Sequence, residues 1–204
     1  MKMRSLSMLL SKLDPNPCDS VELEQYVTDG DLASRWLADI SAFGDLQEGF
    51  TVADLGAGNG ILGLGALAMG ADRAILVEAD SAACDISRSN AHSMGLLDSV
   101  EVVHATLGSD PVDIGYADLV ISNPPWGRQT PRADRPFLDS IMSARATSHL
   151  MHSAAASHIE PLFESQGWSV ERYGEADFVL PASYSHHNRQ RGKTRAAFWR
   201  LTPK

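Results

Sequence analysis

Cysteine is scarce in this chain: Cys18 and Cys84 stand far apart and form no CxxC pair. A disulfide scaffold is therefore excluded, and reduced thiols in a cytoplasmic setting are the expectation. Long apolar runs are missing too, and none approaches the roughly 20 residues that cross a bilayer. The opening stretch has basic and apolar parts, but its apolar core is short and is followed by Lys12, Asp14 and Pro15, which argues against a signal peptide. The seven histidines show no HExxH or comparable spacing, so no metal site is predicted. Neither an internal repeat nor a linker divides the 204 residues, enough for one α/β domain and too few for two comfortable ones. Residues 1–22 read as an N-terminal arm and 23–204 as a single domain.

Acids outnumber bases, giving a net charge of -9, which argues against indiscriminate nucleic-acid binding. The charge is uneven, however. Arg189, Arg191, Lys193, Arg195, Arg200 and Lys204 follow His186 with no acid among them, and Arg128, Arg132 and Arg135 cluster against the single Asp134. Apolar residues at Leu32, Trp36, Leu37, Ile40 and Phe43 keep a spacing of threes and fours and predict a helix over 23–43. Buried strands are expected at 51–55, 73–78, 99–104 and 116–122, with helices at 61–69 and 81–94, the latter with Ser81 as a plausible N-cap. Beyond these come a helix opening at Pro136, a short strand at 146–151, a helix at 153–166 and strands at 168–179 and 195–201. Strands alternating with helices imply a mostly parallel seven-stranded sheet with helices on both faces, and the last two strands, with no helix between them, pair antiparallel.

Two stretches carry chemistry. The first strand enters Gly56-Ala57-Gly58-Asn59-Gly60-Ile61-Leu62-Gly63, a strand–glycine loop–helix turn that gathers backbone N–H groups and a positive helix end at one point. Glu78 ends the next strand about 20 residues on, placed to accept ribose hydroxyls. NAD and S-adenosylmethionine enzymes share that design. Asp54, just before the loop, is expected to orient it or to meet an ammonium group. The second stretch is Asn123-Pro124-Pro125-Trp126, after the fourth strand. Two prolines hold the backbone extended and supply no N–H, so the turn presents acceptors: carbonyl oxygens and the Asn123 side chain. Trp126 adds a flat ring. Acceptors beside a ring suit a planar substrate with an exocyclic amino group, which a hydride transfer does not need. Guanine N2 in RNA and a glutamine amide of a protein fit such a turn as well as adenine N6 does.

Asp54-Leu55-Gly56-Ala57-Gly58-Asn59-Gly60 with Asn123-Pro124-Pro125-Trp126 resembles the class I S-adenosylmethionine amino-methyltransferases, which have a Rossmann-like fold. Leu23-Glu24-Gln25-Tyr26-Val27-Thr28, the Asp134 and Phe137-Leu138 pair, and Leu180-Pro181-Ala182-Ser183-Tyr184 with His187 narrow the likeness to the methyltransferase-like protein 5 family, over about 23–201. The resemblance implies N6-methylation of adenosine in small-subunit ribosomal RNA, with S-adenosyl-L-methionine as donor. It assigns Gln25, Tyr26 and Thr28 to closure over the cofactor, Gly56, Gly58 and Gly60 to its amino-acid end and Glu78 to its ribose. Asn123, Pro124, Pro125 and Trp126 become the catalytic turn, and Arg128, Arg132, Arg189, Arg191 and Lys193 candidate RNA contacts. A small zinc-ribbon activator protein covering a sheet edge is the implied partner. Val27 departs from the family's usual proline, Ala105 and Thr106 from its adenine-contacting acid, and Trp126 from its phenylalanine.

Overall fold

The computed structural model describes residues 2–16, 28–127, 129–179 and 193–204, with backbone alone at 178, 179 and 193. Seven strands form one sheet: β1 (Thr51–Leu55), β2 (Arg73–Glu78), β3 (Val100–His104), β4 (Leu119–Ser122), β5 (Thr147–Ser153), β6 (Trp168–Val179) and β7 (Lys193–Pro203). Their spatial order is β3-β2-β1-β4-β5-β7-β6. The first five pair in parallel, while β7 runs antiparallel to both β5 and β6. The strand order reverses between β1 and β4, and an open α/β sheet binds its ligand at that reversal, outside the carboxyl ends of the strands.

The central strands are apolar on both faces because helices cover both. Val52, Leu76 and Ile121 join one core with α1 (Met3–Leu10), α2 (Gly30–Ala42) and α3 (Ile61–Met69). Their neighbours Ala53, Val77 and Val120 join a second core with α5 (Arg135–Ala144) and α6 (Ile159–Ser165). That alternation follows from side chains of successive strand residues pointing to opposite faces. The remaining helix, α4 (Ser81–Ser93), packs against β2 and β3.

Several expected elements differ in detail; α6 begins at Ile159 rather than at 153, since Ser153 still belongs to β5. Residues 3–10 of the arm form α1, which buries Leu6 and Leu10 four residues apart against α2 and α3. Helix α2 begins at Gly30, where the Asp29 carboxylate accepts the N–H of Leu32; residues 17–27, the first part of the longer expected helix, lie outside the described residues. Strand β4 begins three residues later than expected, because Asp118 turns its carboxylate to the N–H of Thr51. The α4 cap is Asp80, not Ser81: its side chain accepts from Ala82 N–H. No helix of the described residues is long and apolar enough to cross a membrane.

Candidate active site

The glycine loop leaves β1 beside the end of β4: Leu55 and Ser122 are register partners, and the Ser122 hydroxyl donates to the Leu55 carbonyl at 2.9 Å. Asn123, next in sequence, therefore starts beside Gly56. Gly58 and Gly60 carry φ of 55° and 83°, the left-handed region that glycine enters without penalty, and the loop can close only there. A Cβ on Gly56 would lie 2.9 Å from the Phe137 ring of α5, so the loop and α5 are in direct contact.

Two buried acids hold the loop from within. Asp54 is 1% exposed, and its Oδ2 accepts the N–H of Gly63 at 2.9 Å. Burial, helped by the negative Glu78 and resisted by that N–H, pushes its carboxyl up to about 7. Of the two roles expected for Asp54, loop orientation is the one these contacts support. Glu78 takes the N–H of Gly58 on Oε2 and those of Ala79 and Asp80 on Oε1, which fixes its carboxylate at the end of β2.

Across the loop stands the Asn123 amide. Its Oδ1 accepts from the Trp126 indole N–H at 3.2 Å, and its Nδ2 donates to Thr28 Oγ1 at 3.2 Å. An indole nitrogen only donates, so the atom facing it must be the amide oxygen. One lone pair of that oxygen is left for a second donor. Thr28, Asn123, Gly56, Gly58 and Asn16 line a small pocket of about 40 Å³. The Asn16 Oδ1 is buried there with no hydrogen-bond partner among the described residues. A buried acceptor over a glycine cradle fits the ammonium of an amino-acid ligand, and the Glu78 carboxylate keeps a lone pair on Oε2 for a hydroxyl.

The family model for the methyltransferase small domain matches residues 29–154. An rRNA N(6)-adenosine-methyltransferase METTL5 of Danio rerio is 32% identical over 214 residues, covering 100% of each chain. The chain belongs to the methyltransferase-like protein 5 family. The Drosophila melanogaster rRNA N(6)-adenosine-methyltransferase Mettl5 is 27% identical over 98% of this chain and 96% of its own. A solved Pyrococcus horikoshii protein, described as a candidate RNA methyltransferase, superimposes with a TM-score of 0.87 at 31% identity, covering 100% of this chain and 98% of its own. Fold and family together imply S-adenosylmethionine as cofactor.

Gln25, Tyr26, Arg128, Arg189 and Arg191 lie outside the described residues, as do 180–184 and His187, and only the backbone of Lys193, at the start of β7, is described. Arg132 follows the Asn123–Trp126 turn with φ of 63° and lines two open clefts of about 570 and 590 Å³, both within the size range of small-molecule sites. Where the family has an acid after β3, the N–H of Thr106 is held at 2.7 Å by the carboxylate of Asp110.

Two features escaped the sequence reading. Asn16 sits in the arm, stitched to the loop by hydrogen bonds from the Asn59 and Asn90 amides to the Asp14 carbonyl. An Asn beside proline gave no signal of that. The second is a cluster of Asp134, His152 and His158, whose ligand-type atoms all lie within 4.8 Å of one another although no metal-binding spacing marks them in sequence. His152 Nδ1 accepts the N–H of Ser153 at 2.8 Å, so the proton of the neutral ring is on Nε2. A metal-bound imidazole uses the bare nitrogen and donates with the other. The ring is wired the opposite way, so the cluster is a hydrogen-bond array and not a ligand set.

Proposed function

We propose that this protein transfers a methyl group from S-adenosylmethionine to the N6 amino group of an adenosine in small-subunit ribosomal RNA. The observation that carries the proposal is the fixed Asn123 amide, its oxygen oriented by Trp126 and its place beside the glycine loop set by the β1–β4 pairing. Bound S-adenosylmethionine supplies an electrophilic methyl on a sulfonium sulfur. Asn16 and Thr28 would face its amino-acid end, Gly56, Gly58 and Gly60 its backbone cradle, and Glu78 its ribose.

An adenine amino nitrogen is a poor nucleophile, since its lone pair is delocalised into the ring. The Asn123 oxygen and the Pro124 carbonyl accept its two hydrogens, favour a pyramidal nitrogen and aim the lone pair at the glycine-loop side. Positioning of this kind can lower a barrier by up to about 7–11 kcal/mol in the best cases. Neither acceptor needs to remove a proton before attack, because the nitrogen becomes acidic once it is positive. Trp126 and Gly127 form part of the wall of the 590 Å³ cleft, the entry open to an unstacked base. Stacking on such a ring contributes about 1–3 kcal/mol. Arg132 at the cleft rim is the described candidate for a phosphate, with Arg128, Arg189, Arg191 and Lys193 completing the basic set. The zinc-ribbon activator belongs to this reading. Strand β3 is an edge of the sheet, and the exposed Leu97 and Tyr116 near it suit a covering protein.

The test uses labelled S-adenosylmethionine and ribosomal subunits lacking the modification, with and without the zinc-ribbon partner, and compares wild type with Asn123→Ala. Label in N6-methyladenosine that disappears in the variant supports the proposal. Label in N2-methylguanosine or in ribosomal protein moves the substrate and rejects adenine.

A further inference from the structure

Asp134 lies eight residues beyond the Asn123–Trp126 turn, yet it is 6% exposed and sits at the centre of three elements. Its Oδ2 is 2.5 Å from Nε2 of His158, the N-cap of α6, and 3.3 Å from Nε2 of His152 on β5. The first is a hydrogen bond; the second misses hydrogen-bond geometry and leaves the buried Nε2 without a hydrogen-bond partner among the described residues. Burial alone would raise the Asp134 carboxyl, but the two histidines outweigh it and hold it below the ordinary carboxylate range.

The His152 ring is held by one hydrogen bond at Nδ1 and one close electrostatic contact at Nε2. Its Nδ1 takes the N–H of Ser153, and its Nε2–H faces the Asp134 carboxylate. One face of the same ring lies against Trp126, with centroids 6.0 Å apart and planes 25° apart. Trp126 then donates its indole N–H to the Asn123 oxygen. Contacts therefore run without a gap from His158 at the cleft rim through Asp134, His152 and Trp126 to the amide that meets the substrate.

We propose that Asp134 and His152 are positioning residues that set the plane of Trp126 and, through its indole N–H, the orientation of the Asn123 carbonyl. The proposal rests on the reading of Asn123 as acceptor for the substrate amine. A phenylalanine at 126 has no N–H and breaks the last step, so this wiring is particular to a chain with tryptophan there. Rotation of a freed His152 ring removes the packing under Trp126 and lets the indole N–H swing off the amide. A misplacement of about 1 Å at such a site costs about a hundredfold in rate.

The test is a double-mutant cycle between Asp134→Asn and Trp126→Phe in the full chain with its partner present. Its first readout needs no turnover. The difference in emission between a protein and its Trp126→Phe counterpart isolates Trp126 from the other three tryptophans. Asp134→Asn is expected to change that difference spectrum, to lower kcat by about tenfold to a hundredfold, and to leave KM for S-adenosylmethionine within about twofold. In the Trp126→Phe background the same substitution is expected to lower kcat by less than about threefold, since the linkage it acts through is already gone. His158→Gln, at a half-exposed position that does not threaten folding, is expected to follow the same pattern with smaller amplitude and carries the cycle if Asp134→Asn fails to fold. Full multiplication of the two losses, or an unchanged Trp126 spectrum, overturns the proposal. So does stoichiometric zinc binding that quenches Trp126 and is abolished by Asp134→Asn, which would make the cluster a metal site. If the wild type methylates no adenine, the functional proposal fails, while the emission cycle still decides this one.

Discussion

Replacing Asp54 by asparagine should change how the protein's stability depends on pH. The unfolded chain releases this proton near 3.8 and the folded protein near 7. Between those values the native state holds a proton that the unfolded state has lost, so stability falls as pH rises through the window and the penalty is complete above it. Each unit is worth about 1.4 kcal/mol, and a shift of about three units amounts to about 4 kcal/mol for a carboxyl at 1% exposure. Asparagine keeps an oxygen for the Gly63 N–H and has no proton to lose. Its buried NH2 adds a constant cost of about 1–3 kcal/mol that does not vary with pH. The diagnostic is therefore the slope. Urea unfolding at pH 5, 6, 7 and 8 should show the variant gaining on wild type by about 1 kcal/mol per unit up to pH 7 and levelling off by pH 8. A difference between the two proteins that stays constant from pH 5 to pH 8 refutes the reasoning.

Gly63→Ala would place a Cβ 2.3 Å from Leu76 Cδ2, inside a core where Leu76 is fully buried. Overpacking of about 1–3 kcal/mol then opposes a helix-propensity gain of about 1 kcal/mol, so urea denaturation should show a net loss of up to about 2 kcal/mol. Asn16→Ala removes the buried oxygen from the glycine-loop pocket and is expected to weaken S-adenosylmethionine by about threefold to tenfold in calorimetry. Asp45→Asn strikes a network beside α2, on the same face of the sheet as Leu76. Asp45 holds Arg200 through both carboxylate oxygens and the buried His149, while Trp36 donates to the Tyr173 hydroxyl, leaving that hydroxyl to donate to His149. Burial raises the Asp45 carboxyl, but Arg200 and His149 prevail and hold it low. Its contribution is therefore present above about pH 4 and disappears as pH falls through the native value. The variant should lose about 2 kcal/mol at pH 7 and much less at pH 3, read from thermal unfolding.

Much of this architecture is written in local pattern. Thr51-Val52-Ala53-Asp54-Leu55 and Arg73 to Glu78 announce themselves because a strand covered on both faces must be apolar throughout. The glycine loop and the Asn123 turn were legible because positive φ and missing N–H groups restrict which residues can stand there. What was not legible depends on distance in sequence. The strand was expected to end at 151 and a helix to begin at Ser153; instead His152 and Ser153 are strand because they pair with Ala197 and Ala196 of β7. Asp134, His152 and His158 carry no common signal, since only the packing of β5 and α6 beside the turn brings them together. The N-terminal helix is too short for periodicity to stand out, and its two buried leucines become informative only once α2 and α3 are present to receive them.

Strand β7 is last in chain order but lies between β5 and β6 in the sheet. Its arrival has a consequence for biosynthesis. Until those residues leave the ribosome, β5 has an unpaired edge and β6 has no neighbour in the sheet, so the nascent chain exposes sticky strand edges. Closure of this half of the protein waits for β7, and it depends on contacts that are slow to form because they span long stretches of chain. The β1–β4 half carrying the glycine loop has no such dependence. A protein-coding change that slows or truncates the final strand should therefore produce aggregation during synthesis rather than a folded enzyme with a weakened site.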